Sequence, residues 1–323
     1  MPPVSPKLLK MAELPGVGKL LGGAFGMNRL RKKFIPAETA AEAVEVAIDL
    51  CDQGFRAGLY HLCDDVTDSN TIGDSRAQSI EAMKLLNEAG LDIVVYKGVR
   101  QLGFGAFKDV AKRNLVAVAD RLMREAGDQT ANYETRLTLS RKRNEVDPEA
   151  LGPRRHHLVL EAEDMGVIRG LLGLHGYLAR NAVSVVASVY AAMVESETDL
   201  MALIAGRADI RLCLTTLEYK DAEVYDEDTI PGNYEVLIET LLSEEAAING
   251  VYPIFHVTDL EWAELIKENI DQDDWEPGSY EFEVPYGLGN GLAESLRDEG
   301  HRVRIVVPFG REWLGYAERY LVT

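Results

Sequence analysis

Charged and hydroxyl side chains end several of the apolar runs in this chain, and those ends are where chemistry would be done. Lys97 closes the run Ile93-Val-Val-Tyr96. An ammonium group there is partly desolvated and requires a carboxylate or a ligand beside it. Glu161, followed by Glu163 and Asp164, closes the run that starts at His157 and could supply that carboxylate. The pair would either line a binding pocket or form a plain ion pair, and both readings predict contact. Ser188, Arg211, Thr258, Tyr286 and Arg319 stand at comparable places further along, and His61 at one earlier in the chain. A guanidinium among them suits a carboxylate, which it can hold through two parallel hydrogen bonds.

The loop Tyr286-Gly-Leu-Gly-Asn-Gly291 sets three glycines between an apolar run and a helix opening. Backbone amides could approach an anion there, although a tight turn explains the same glycines. Other chemistries lose ground. Cys51, Cys63 and Cys213 are too few and too scattered for a disulfide framework or a four-ligand zinc site. His156 and His157 are adjacent on a strand and point to opposite faces, so no metal site is expected. The chain contains no Gly-x-Ser-x-Gly elbow and no His-Glu-x-x-His helix.

The elements that would position these residues alternate regularly. Periodicity predicts helices at 38–53, 71–89, 106–126, 165–179, 197–205, 232–245 and 259–269. Between them lie strands at Ala57–Leu62, Asp92–Lys97, His157–Glu161, Val183–Val189, Ile210–Thr215 and Val251–His256. Two further units follow, around Tyr280–Gly287 and Arg302–Gly310. Eight β/α units, with no Gly-x-Gly-x-x-Gly turn after the first strand, predict a TIM-type (β/α)8 barrel with an N-terminal helical arm. Residues 1–37 read as the arm and 38–323 as the barrel, with an insertion near 128–153. In such barrels the C-terminal ends of the strands carry the active site.

Bulk properties are those of a soluble protein. Hydrophobic residues are 46% and charged residues 27% of 323, near the globular average. Asp and Glu outnumber Lys and Arg by 53 to 34, which disfavours nucleic acid and anionic lipid as partners. No run approaches the roughly 20 apolar residues of a membrane-spanning helix, so cytoplasmic residence is expected and any membrane association would be peripheral.

The spelling of the chain resembles the proline dehydrogenase family, collinearly from Phe34-Ile-Pro-Ala-Glu38 to the C-terminus. Leu59-Tyr-His-Leu62 with Val66-Thr67 is similar to that family's first strand, Val94-Val-Tyr-Lys97 to its lysine-bearing second, and His157–Asp164 to its acidic third. Arg211-Leu212, Asn233-Tyr234, Tyr252-Pro253, Tyr280–Gly287 and Arg302–Tyr320 follow in order. The resemblance implies FAD bound at the barrel mouth and hydride transfer to it from proline or a related cyclic secondary amine, which becomes an imine. Electrons would pass on to a quinone or another acceptor. It also implies that Lys97, Glu161 and Arg319 are catalytic, with Arg319 anchoring a carboxylate. Arg211, Ser188, Thr258 and Tyr286 would face the cofactor. The chain departs from the pattern in carrying Glu161 for an aspartate, Leu214-Thr-Thr-Leu217 for lysine-glycine-alanine-tyrosine, and Tyr320 for a second arginine. That last change would cost about 1.5–3 kcal/mol of charge-assisted contact. A second expectation is therefore a barrel that has lost flavin and proline binding and serves as a binding or partner subunit.

Overall fold

The computed structural model describes residues 31–63, 69–103, 108–127, 156–162, 168–179, 185–214, 223–289, 291–313 and 316. The chain starts its repeating pattern with helix α1 (Ala40–Asp52), capped by the Thr39 hydroxyl accepting from the Glu42 amide. Eight strands follow: β1 (Arg56–His61), β2 (Val94–Gly98), β3 (His157–Glu161), β4 (Val185–Tyr190), β5 (Asp209–Cys213), β6 (Pro253–His256), β7 (Glu281–Pro285) and β8 (Val303–Phe309). All neighbours are parallel, and β8 pairs back onto β1 with Arg56 opposite Arg304 and His61 opposite Phe309, so the sheet closes into a barrel. This is the expected (β/α)8 architecture.

Helices fill the connections: α2 (Ser69–Glu88), α3 (Lys108–Gly127), α4 (Ile168–Ala179), α5 (Ser196–Ala205), α6 (Ile230–Leu241), α7 (Glu244–Asn249), α8 (Leu260–Gln272) and α9 (Leu292–Asp298). Where periodicity predicts one helix at 232–245, the structure breaks it after Leu241. Ser243 restarts it by accepting from the Ala246 amide, and Glu244 and Glu245 then favour the positive end of the new helix. No helix among the described residues is long and apolar enough to cross a membrane. The N-terminal residues 1–30 and the segment 128–155, which includes the expected insertion, lie outside the described residues.

Strand alternation separates two cores. Outward residues such as Leu59, Val95, Leu160 and Leu212 pack against the helices in the larger cluster. Inward residues, among them Tyr60, Val94, Tyr96, Val159, Val186, Ile254 and Val306, form a second cluster inside the barrel. Gly58 is required there, because a Cβ on it would come within 2.6 Å of the Tyr96 ring. Below this inner layer, toward the strands' N-terminal ends, sits a buried ionic network. Arg304 donates through Nε to Glu281 at 2.6 Å and through Nη2 to Asp92 at 3.2 Å, while Arg56 reaches Asp92 at 2.8 Å.

The end of the arm covers part of the opposite rim. Phe34 and Ile35 join the inner cluster with Tyr60, Leu62 and Tyr316, and Ala37 bridges to Phe309 at the end of β8. The Tyr286–Gly291 loop packs under this segment. Gly287, at φ +74, faces the Lys33 carbonyl so closely that a Cβ would lie 2.2 Å from it. Close packing against the arm therefore accounts for this glycine.

Candidate functional site

The last residues of β3, β4, β5 and β6 are Glu161, Tyr190, Cys213 and His256, and all four line one cavity of about 270 Å³. It lies at the strand ends where barrel enzymes place their active sites. Arg211, one turn of the pleat below Cys213, contributes its guanidinium to the lining. Tyr234 from α6 and Trp262 from α8 lie edge to face, centroids 5.0 Å apart, and complete an aromatic wall.

Arg211 is only 2% exposed, so its charge must be compensated nearby. Glu283 on β7 does this. One carboxylate oxygen, Oε1, accepts from Arg211 Nε at 2.7 Å and lies 2.7 Å from Nη2. The same oxygen is 2.8 Å from His256 Nδ1, and the Tyr96 hydroxyl donates to Oε2 at 2.5 Å. His256 Nδ1 is also 3.0 Å from Arg211 Nη2. A nitrogen between a guanidinium and a carboxylate carries its proton toward the carboxylate, so Nδ1–H donates to Glu283. Burial alone would raise the Glu283 pKa, but Arg211 and His256 overcome it and hold the carboxyl at about 2. Glu161 adds a second carboxylate, 3.7 Å from Arg211 Nη1. Arg211 also stands over the Tyr96 ring at 5.8 Å.

Two other lining groups are defined by what surrounds them. Burial pushes the Cys213 thiol up to about 12, so it stays protonated and is a poor nucleophile. The Tyr234 side chain is fully buried, and its hydroxyl has no hydrogen-bond partner among the described residues. A buried hydroxyl without a partner carries a desolvation penalty of about 1–3 kcal/mol that a bound acceptor would relieve.

The residues singled out from sequence are distributed as follows. Glu161 and Arg211 meet at the cavity. Lys97 is fully buried, and alternation along β2 sends Tyr96 into the barrel and Lys97 toward α2, where its ammonium donates to the Ser75 carbonyl at 3.1 Å and to the Ser75 hydroxyl. Ser188 lies beneath the cavity, opposite Arg211 in the β4–β5 register, and donates to the Leu160 carbonyl at 2.9 Å. Thr258 is exposed at the cavity lip. Tyr286 is half-buried just after β7 and packs against the larger core. Arg319, Glu163 and Asp164 lie outside the described residues. At the other end of the barrel, His157 stacks on Tyr252 and approaches Asp209 at 3.5 Å, while His156 accepts from the Ile93 amide.

Sequence reasoning missed Glu283, His256, Tyr96 and Tyr234. A signal for the first was present. Glu281 and Glu283 stand two apart in Tyr280-Glu-Phe-Glu-Val284, on one face of a strand whose other residues are apolar. Two carboxylates on the same buried face require two cations inside the barrel, and Arg304 and Arg211 are those cations.

No family model matches the chain. Proline dehydrogenase 2 of Bacillus subtilis (strain 168) is 26% identical over 106 residues, 32% of this chain and 33% of that protein. Proline dehydrogenase of Deinococcus radiodurans is 42% identical over 41 residues, 13% of each. Among solved structures, proline utilization A of Bdellovibrio bacteriovorus superimposes with a TM-score of 0.73 at 16% identity, over 99% of this chain and 35% of that one. The corresponding protein of Corynebacterium freiburgense gives 0.69 at 14% identity, over 100% and 33%. The chain thus spans about a third of the length of these solved proteins, and its sequence matches cover a third or less of the curated relatives. The (β/α)8 barrel is structurally related to the one in proline utilization A proteins, with weak sequence similarity to proline dehydrogenases.

Proposed function

We propose that this protein is a flavin-dependent oxidoreductase of proline dehydrogenase type, oxidising proline or a related cyclic secondary amine to an imine. The observation that carries the reading is the cavity at the ends of β3–β6, floored by a buried guanidinium and walled by Tyr190, Tyr234 and Trp262, in a barrel related to that of proline utilization A.

The residues present fit an isoalloxazine ring. Its flat apolar faces suit aromatic walls, its carbonyl oxygens suit the Tyr234 hydroxyl, and Thr258 at the lip offers a second hydroxyl. When bound, FAD supplies the hydride acceptor. This chain's own side chains would then do the rest. Arg211 presents fixed donors to the ring edge, held in place by Glu283 and His256. Glu161 would attract an incoming ammonium to the cavity edge and accept the proton that must leave before the neutral amine gives up hydride. Ser188 ties β3 to β4 beneath the cavity, and Tyr286 would support the β7 side of the mouth. In this scheme Arg319 anchors a carboxylate, Lys97 orders the β2 rim through Ser75, and a quinone or other acceptor takes the electrons.

The test is direct. Protein equilibrated with FAD and gel-filtered should retain a visible flavin band, and anaerobic proline or a cyclic amine should bleach it. A band that persists with every such amine would remove the dehydrogenase assignment. A second reading, a barrel repurposed as a binding or partner subunit, draws on the neutralisation of Arg211 by Glu283. It predicts a colourless protein that takes up no FAD.

A further inference from the structure

Two of the aromatic rings that line the cavity come from separate elements, Tyr190 from the end of β4 and Tyr234 from near the start of α6. Their chain neighbours are joined directly. Asn233 donates through Nδ2 to the Ala191 carbonyl at 2.6 Å and to the Ser196 hydroxyl oxygen at 2.9 Å. A carbonyl can only accept, so the amide nitrogen must be the atom that faces Ala191, and the orientation of the Asn233 amide is fixed.

The β4 side of this bond has further anchors. The Ala191 amide donates to the Cys213 carbonyl at the end of β5, at 2.9 Å, and the Tyr190 hydroxyl accepts from the Ala162 amide at 3.0 Å. Tyr190 is thus held near both its backbone and its ring tip. Just beyond it Met193 bridges to Val224, and the Tyr225 amide donates to the Ala192 carbonyl at 2.8 Å. The start of α6 is held differently. Its N-cap residue, Thr229, makes no side-chain capping bond, and a Cβ on Gly232 would meet nothing within 4 Å, so the placement of this turn leans on Asn233.

We infer that Asn233 is a positioning residue that sets the spacing of Tyr190 and Tyr234, and through it the width of the space open to a flat ring. This rests on the reading that the cavity receives such a ring, which need not be a flavin. Asn233 is half-buried and does not itself line the cavity, so it acts through Tyr234, the next residue in the chain. Small displacements matter here, because a gap of about 0.5–1 Å forfeits roughly a quarter to a half of each dispersion contact between a ring and its wall. Tyr234 also packs edge to face on Trp262. A shift at the start of α6 therefore disturbs two of the rings together.

Two probes test it by fluorescence titration of the full chain: FAD, and lumichrome, an uncharged flat tricycle without the ribityl and nucleotide parts. Asn233→Ala should weaken both about tenfold, the scale of one lost hydrogen bond. The bound ring should also be brighter than in the unmodified protein, because looser contact with tyrosine and tryptophan quenches it less. A merely structural role would reduce the number of sites and leave the brightness of each bound ring unchanged. Asn233→Asp keeps the shape but sets a carboxylate against the Ala191 carbonyl. Its affinity should be low at neutral pH and recover toward that of the unmodified protein, measured at the same pH, as the carboxyl gains a proton to donate near roughly pH 5. In Tyr234→Leu, which removes the positioned ring, adding Asn233→Ala should have little further effect, whereas independent contributions would add. Should Asn233→Ala fail to fold, the isosteric Asn233→Asp carries the same readouts, and Ser196→Ala, which removes the second acceptor, should act in the same direction with a smaller effect. Additive losses in the double variant, unchanged brightness of the bound ring, or no recovery of Asn233→Asp in acid would each overturn the inference. Protein that binds lumichrome with this pattern but takes up no FAD would remove the flavin reading alone. Protein that binds neither ring would remove both.

Discussion

Two charged layers lie inside the same barrel, and their difference separates holding the fold from using it. In the lower layer Arg304 and Arg56 face Glu281 and Asp92, two cations against two carboxylates, and Arg304 also donates to the Ala57 carbonyl at 2.9 Å. In the upper layer the Arg211 guanidinium meets Glu283 at 2.7 Å and Glu161 at 3.7 Å, and Arg211 and Glu161 border a cavity. Buried ion pairs sealed inside a core add little net stability and leave no room for a ligand. An ion pair that borders an aromatic-walled space is open to a ligand, as a binding site requires.

The sharpest way to break the comparison is to remove one cation from each layer. Arg304→Met strands Glu281 and Asp92 in the interior and should destabilise the protein by about 3–5 kcal/mol in urea unfolding. Arg211→Met leaves Glu283 with His256 and Tyr96 and should cost less stability while weakening ring binding at least about tenfold. Equal stability losses would mean that the two layers do the same job.

Acid should affect the upper layer next. Glu283 is held at about 2, below the ordinary carboxyl value of 4.5. Its contribution to stability is therefore complete above about pH 4.5 and is lost as pH falls toward 2, on the order of 3 kcal/mol in all. Glu283→Gln should remove that slope, which chemical denaturation at stepped pH would reveal. His61 adds an earlier phase. Burial and nearby Lys97 push it down from 6.5 to about 3, so the unfolded chain binds its proton first, and stability should begin to fall below pH 6.5.

Smaller effects sharpen the contrast. Tyr234→Phe removes a buried hydroxyl that has no partner among the described residues, so stability should hold or rise slightly while ring affinity drops by about 0.5–1.5 kcal/mol. A clear loss of stability in this variant would show that the hydroxyl serves the fold. At the bottom of the scale, Lys267→Ala breaks exposed pairs with Glu264 and Glu299 and should change the unfolding free energy by less than about 1 kcal/mol.

The barrel was legible because its strands are short β-branched runs separated by helical periods, and the order of all eight follows from that rhythm. Facing direction was harder to read. Ile93-Val-Val-Tyr96 is apolar on both faces, as buried parallel strands are, so no alternation in the sequence shows that Tyr96 points inward and Lys97 toward α2. Arg211 and Glu161 were identifiable as charges at strand ends. Glu283 was hidden inside a strand rather than at its end, although its spacing from Glu281 marks it. Tyr234 belongs to the cavity only because α6 lays it over the ends of β5 and β6, a tertiary fact with no local signature.

The central claim is that the space over Arg211 receives a flavin ring. Titrating FAD into the protein and into Arg211→Met, with flavin fluorescence as the readout, tests it most directly. The account predicts saturable quenching at one site in the unmodified protein and a loss of at least about tenfold in affinity in the folded variant. Identical titrations for the two proteins, or no saturable signal in either, would contradict it.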